Sequence, residues 1–246
     1  MPIILRDADR REIYVSASAP NKVAALAEAV TAGVDLRFVS LVWLQTQPGD
    51  NFAGARLSFA DLRFADFRGT DLSGADLFHA YLHETNLSEA DLSGANLAET
   101  TLWRTNLRNA DLSNFTVEAN KYFHRVDAMG ANFSGANLGQ ACFAQCKLQR
   151  TRWSDTQLEM AIFASSDLFQ ADLARANLRG VKFGGCKLRE ADLSESDLAG
   201  AIFSEVDLTD ANLAGVNLVG AQISYGDLRR AKNIDPRWLV EAVVKK

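Results

Sequence analysis

Large apolar residues recur along this chain at every fifth position. From residue 52 the series reads Phe52, Leu57, Leu62 and Phe67, then Leu72 through Leu112 without a break. Two positions before these centres the side chain is small, as at Ala55, Ala60, Ala65, Thr70, Ala75 and Ala80. The residue directly before a centre is often Asp or Asn, as at Asp61, Asp66, Asp71, Asp76, Asn86, Asp91 and Asn96. Such a period fits neither a helix, at ~3.6, nor a strand, at ~2.0. It fits a chain that turns a corner every five residues. The large centre and the small residue point inward, and the other three positions face water or form the corner. Asp and Asn suit corners because their side chains bond nearby backbone.

A second block repeats the pattern in a frame shifted by one, from about Phe123 to Leu228. Its centres include Phe133, Leu138, Phe143, Leu148, Trp153, Leu158 and Phe163, with Ala128 the one small centre. The frame changes between Ser113 and Tyr122, which predicts a bulge or a short loop. A longer period sits above the first. Phe123, Phe143, Phe163, Phe183 and Phe203 lie 20 residues apart, with Ile223 next, and Leu148, Leu168, Leu188, Leu208 and Leu228 form a second column. Four pentapeptides thus make one coil, and like residues stack on like. With rungs ~4.8 Å apart, about nine coils predict a rod of about 40 Å. Stacked repeats bury a continuous core and need caps at both ends.

The ends depart from the repeat. Ile3–Leu5 and Glu12–Val15 flank Asp7-Ala8-Asp9-Arg10 and read as a hairpin. Asn21 then suits a helix N-cap, Val23, Leu26, Ala27 and Val30 form an apolar helical face, and Gly33 suits the C-cap. Val34–Leu36 and Val39–Leu41 look like the first repeats, and Gln45 to Asn51, with Pro48-Gly49, reads as a turn or small loop. At the other end Asp235-Pro236 suits a helix start, with Trp238, Leu239, Ala242 and Val243 on one face. The expected organisation is a capping module over 1–33, a repeat array over 34–231 with its frame shift inside 113–122, and a capping helix over 232–246.

The five-residue pattern resembles the pentapeptide-repeat family: a small residue, Asp or Asn, Leu or Phe, then two variable positions, over roughly residues 34–231. The resemblance implies an all-β solenoid, a right-handed quadrilateral β-helix, here with a hairpin-plus-helix N-terminal cap and a C-terminal helix. The N-terminal segment is similar to a small module found ahead of bacterial and phage members. The family carries no catalytic residues to transfer. Some members protect DNA gyrase from inhibitors by resembling duplex DNA in shape and charge, so function follows only by analogy.

Composition narrows the function classes. The chain has 246 residues, 48% of them hydrophobic and 23% charged, too apolar for disorder. No apolar run approaches the ~20 residues of a membrane span, and the first residues lack a signal-peptide pattern, so a cytoplasmic protein is expected. The net charge of −5 disfavours direct binding to a nucleic-acid backbone. Cys142, Cys146 and Cys186 give no even disulfide framework and no zinc spacing. Cys146 and Cys186 fall in the small inward slot and Cys142 at a corner, so all three read as structural. His79, His83 and His124 have no Ser/His/Asp or Cys/His arrangement placed around them, so no enzyme, metal site or cofactor is expected.

Departures from the repeat supply the candidate sites. Arg63-Phe64, His83-Glu84 and Trp103-Arg104 fall on one outward face, with Phe59, Phe78, His79 and Tyr81 near. Exposed aromatics beside Arg are what partner-binding hot spots contain. Glu190, Glu195, Glu205 and Asp210 form an acidic collar. Asp127, Lys147, Asp167, Lys187 and Asp207 alternate in sign at 20-residue spacing and predict ion pairs between coils. Trp238, Leu239 and Val243 predict either a lid on the last coil or a dimer contact, hence a monomer or a C-terminal-helix dimer. The leading expectation is a non-enzymatic scaffold for a protein partner. The alternative is a DNA mimic acting on gyrase or topoisomerase IV. Over residues 50–230 there are 17 basic against 24 acidic side chains, a net of −7, which is dilute for mimicry.

Overall fold

The computed structural model describes residues 2–115, 117 and 121–238. Contacts divide it into two compact units, Met1–Val117 and Glu118–Lys246. In each, the repeat is a parallel β-solenoid. The pentapeptide Asp91-Leu92-Ser93-Gly94-Ala95 shows why five residues suffice, because every backbone N–H finds an acceptor. Asp91 N–H donates to Thr70 O of the preceding coil (2.9 Å) and Leu92 N–H to Asp111 O of the next (2.7 Å). Gly94 N–H donates to Ser113 O (3.1 Å), and Ala95 N–H closes the turn on Leu92 O (3.0 Å). The remaining N–H, of Ser93, is taken by the Asp91 side chain at 2.9 Å. The same side-chain bond recurs at Asp71, Asp111 and Asp192.

This corrects the expected role of Asp and Asn. They sit on the straight ladder, at the residues that bridge successive coils, and not at the corner. Asn at these positions also donates along the ladder, Asn86 to Asp66 (2.9 Å) and Asn106 to Asn86 (2.8 Å). The corner is the two residues after each centre, and the second of them is left-handed. Its φ is 62° at Gly74, 54° at Glu84 and 59° at Glu195, as a type II turn demands. No Val, Ile, Thr or Pro occupies a left-handed position among the described residues, as expected from the clash of a branched Cβ there.

In the first unit, β1 (Ile3–Arg6) and β2 (Glu12–Ser16) pair antiparallel, and α1 (Lys22–Thr31) follows. The Asn21 side chain accepts from Ala24 N–H at 2.9 Å. Ala32 is the C-cap, and Gly33 follows it at φ 65°. The helix buries Ala25, Leu26 and Ala29, a stripe rotated from the expected Val23–Ala27–Val30 face, since alanines let its backbone approach the hairpin. The module joins the first coil through Ser40 N–H to Arg6 O (2.8 Å) and the Asp7–Val39 bridge. The segment from Gln45 to Asn51 is a coil side with one residue added. Bridge spacing is 21 residues from Asp35, Ser40 and Gln45, and 20 from Asn51 onward.

In the second unit, β3 (Tyr122–His124), β4 (Cys142–Ala144), β5 (Ile162–Ala164), β6 (Lys182–Gly184) and β7 (Ile202–Ser204) form one parallel sheet in that order. Its five rungs make four turns on this side of the second unit, and single-residue bridges at the same 20-residue spacing join the other sides. Phe123, Phe143, Phe163, Phe183 and Phe203 are in register and stack inside with centroids 4.4–5.2 Å apart. Trp153 lies beside them on Phe133 at 4.2 Å, its indole N–H held by Thr151 Oγ1 at 2.7 Å. The Leu column does not end as a coil: Leu228 is buried at the end of a short helix, α2 (Tyr225–Leu228), which Ser224 caps by accepting from Asp227 N–H. Past it, Asp235 accepts from Arg237 N–H at 3.0 Å and Trp238 is buried; Leu239 and Val243 lie outside the described residues.

Candidate interaction surface

Two aromatic ladders run along neighbouring corners of the first unit. In one, Trp43 stacks on Phe64 at 4.5 Å, Phe64 meets His83 edge-on at 5.7 Å, and His83 stacks on Trp103 at 4.3 Å. The Arg104 guanidinium caps this ladder 4.6 Å from the Trp103 ring and pairs with Glu84 at 3.0 Å, which lies 3.6 Å from His83. In the other, Phe38 stacks on Phe59 at 4.9 Å and Phe59 on His79 at 5.0 Å, with Phe78 edge-on to both. Between the ladders lies the face carrying Ser40, Asp61, Tyr81 and Thr101, successive bridge residues. Across it Arg63 grips Asp61 in a two-point fork, Nε to Oδ1 at 2.8 Å and Nη2 to Oδ2 at 2.7 Å. The Asp61 carboxylate in turn pushes the Arg63 guanidinium above its ordinary value, first by that hydrogen bond.

Phe59, Arg63, Phe64, Phe78, His83, Glu84, Trp103 and Arg104 are therefore brought together on two corners and the face they bound. They do not form one stripe. Phe64, Glu84 and Arg104 take the left-handed corner position, while Arg63, His83 and Trp103 precede it. Sequence reasoning missed Phe38 and Trp43, which are 54% and 66% exposed. The signal existed: counting 21 residues instead of 20 across the Gln45–Asn51 insertion places them under Phe59 and Phe64.

The acidic collar spreads over three corners of the second unit. Glu190 and Asp210 share one, where Gln170 donates to Glu190 at 2.9 Å and Lys232 pairs with Asp210 at 2.9 Å. Glu195 follows Arg175 on another, and Glu205 follows Ser165 and Gly185 on a third. The alternating ladder makes Lys147–Asp127 (3.1 Å) and Lys187–Asp167 (3.9 Å) ion pairs, while Asp207 turns to Arg189 at 3.9 Å.

The thiols are built into the wall. Cys146 and Cys186 each donate from the small slot to the carbonyl of a Phe centre in the coil before, at 3.3 Å, as Thr85, Thr105 and Thr156 donate their hydroxyls to the carbonyls of Leu62, Leu82 and Phe133. Burial pushes the Cys146 thiol up to about 12 and raises Cys186 and Cys142 as well. Cys142 sits half-buried on the ladder strand β4, not at a corner. Among the described residues no three His, Cys, Asp or Glu gather as a metal site, and no helix is long and apolar enough to cross a membrane.

The family model for pentapeptide repeats matches in 8 copies, over residues 51–84, 75–114, 171–210 and 203–232, just over half the chain. The chain is a pentapeptide-repeat protein. Residues 121–170, between these matches, have the same coil geometry, but Lys147, Arg152 and Gln157 replace Asp or Asn on the ladder and Trp153 replaces a Leu centre. No curated protein matches the chain. Among solved pentapeptide-repeat structures, HetL, involved in heterocyst differentiation regulation in the cyanobacterium Nostoc, is 29% identical. The match covers 80% of this chain and 91% of that one, with a TM-score of 0.35. QnrB1, a plasmid-mediated fluoroquinolone resistance protein, is 24% identical over 83% of this chain and 94% of its own, with a TM-score of 0.38. A thylakoid-lumen protein of Arabidopsis thaliana is 31% identical over 37% of this chain and 68% of its own, at 0.31.

Proposed function

We propose that this pentapeptide-repeat protein is a non-enzymatic interaction scaffold, and that the first unit grips a protein partner on the face bounded by its aromatic ladders. The carrying observation is conformational. Phe38, Trp43, Phe59 and Phe64 all take the left-handed corner, with φ between 61° and 65°. Such a residue carries a cost of ~1–2 kcal/mol for an L side chain, and Phe38 and Trp43 are more than half exposed, so burial does not offset it. Elsewhere this position holds Gly or a polar residue, Met160 excepted. Strain at rings that stay more than half exposed supports a selected contact. The module over 1–33 serves as lid on the first coil and borders this face. The three unpaired thiols fit a reducing cytoplasm.

The test is affinity capture from a bacterial lysate with the wild type, a Trp43→Gly/Phe64→Gly pair and Trp103→Ala. Glycine keeps the corner conformation, so the solenoid survives. Loss of a wild-type partner from the variants is expected; identical partner lists would sink the proposal.

A further inference from the structure

A cleft of about 400 Å³ opens on the face between the two ladders, lined by Ala8, Phe38, Phe59, Asp61, Arg63 and Tyr81. Its volume falls within the ~300–1,000 Å³ of ligand sites. Ala8 belongs to the turn between β1 and β2, so the capping hairpin closes one end. Phe38 and Phe59 form one wall as a stacked pair, and Tyr81, 50% exposed, stands across from them on the rung above Asp61.

We infer that this cleft takes an uncharged aromatic side chain presented by the protein partner, an assignment that rests on the scaffold reading and specifies its chemistry. Among the described residues Asp61 and Arg63 are the only charged groups in the lining, and the fork between them cancels their charge. An anionic ligand would compete with Asp61 for the guanidinium and face its carboxylate. A cationic ligand would meet the guanidinium first. A neutral ring meets neither conflict. It stacks on the guanidinium plane, which the fork holds flat, and contacts the aromatic walls in the geometries such pairs prefer. Two of the five guanidinium N–H groups serve Asp61, and among the described residues the Nη1 end has no partner, so an indole or phenol ring arriving with its backbone carbonyl finds a donor there. Tyr, Trp and Arg are also the residues that pair across hot spots.

The test uses the full chain and N-acetyltryptophanamide as probe, followed by amide and Arg side-chain NMR shifts. Saturable shifts at Ala8, Phe59, Arg63 and Tyr81 with a millimolar Kd are expected for a ligand of this size. The Kd is nearly unchanged between ~50 and ~300 mM salt, since no net charge is neutralised. Tyr81→Thr, which copies Thr101 of the next rung, weakens the probe at least about fivefold and leaves the remaining spectrum intact. N-acetylaspartate and inorganic phosphate give no saturable shift. Absence of saturation with the indole, equal binding of either anion, or a Tyr81→Thr variant that binds as well as wild type would each overturn the assignment. If the probe fails while partner capture still depends on Trp43 and Phe64, only the cleft assignment falls. If capture is indifferent to both, the scaffold reading falls with it.

Discussion

Truncating Phe163 to alanine should destabilise the second unit by about 3–5 kcal/mol, the range for a fully buried phenyl. Phe163 is in the middle of the column, with Phe143 stacked at 4.9 Å, Phe183 at 5.2 Å and Trp153 edge-on at 5.9 Å. Its phenyl removes roughly 150–250 Å² from water. At ~25 cal/mol per Å² that is about 4–6 kcal/mol gross, of which the alanine methyl retains a part. Phe203 ends the column with one stacked ring, Phe183, and 8% exposure. Phe203→Ala should therefore cost less, by at least the ~0.5–1.5 kcal/mol of the missing aromatic pair. Phe163→Leu, which puts at this centre the residue most repeats use, should cost under about 1.5 kcal/mol. Urea denaturation followed by near-ultraviolet circular dichroism reads all three, with an unchanged m-value confirming that the native state is intact. Equal costs for Phe163→Ala and Phe203→Ala would refute the reasoning, because coil stability would then not be a sum over nearest neighbours.

Four further outcomes follow from the geometry. Glu195→Val should cost at least about 1 kcal/mol because a branched side chain enters a left-handed corner, while Glu195→Gly should be close to neutral; thermal melts distinguish them. Thiol labelling at neutral pH should modify Cys142 first and reach Cys146 and Cys186 only on unfolding, as mass spectrometry would show. The raised Cys146 value means that its contribution to stability is complete below the ordinary thiol value of 9.0 and is lost as pH climbs from there toward about 12. Added protein should leave quinolone inhibition of gyrase supercoiling unchanged, since Lys147 and Lys187 break the acidic ladder that mimicry of duplex DNA needs; restored supercoiling would reverse this.

The five- and twenty-residue periods made the solenoid legible because the inward positions obey a positive rule of size. What stayed hidden obeys rules of another kind. The left-handed corner is marked only by what it excludes, so Glu84 and Glu195 look like any solvated position. Asp91 reads equally well as a corner or as the acceptor for the fifth N–H, and only the hydrogen bond to Ser93 decides. Phe38 and Trp43 fell out of their columns through one inserted residue. Leu228 kept the period while its backbone had become helical. Among the candidate residues, Phe64, His83 and Trp103 shared a neighbourhood in sequence, but the second ladder and the Asp61–Arg63 fork between them depend on which rung lies above which.

That dependence has an evolutionary consequence. Because each corner takes almost any unbranched side chain, the outer surface can be rewritten without touching the interior. Register is the quantity that cannot be edited freely. Loss of a single pentapeptide would carry every later side chain of its unit to the neighbouring side, dismantling both ladders at once. Duplication of twenty residues would leave each ladder aligned and simply lengthen it. Growth by whole coils is therefore the route along which such a surface can be extended with its ladders still in line.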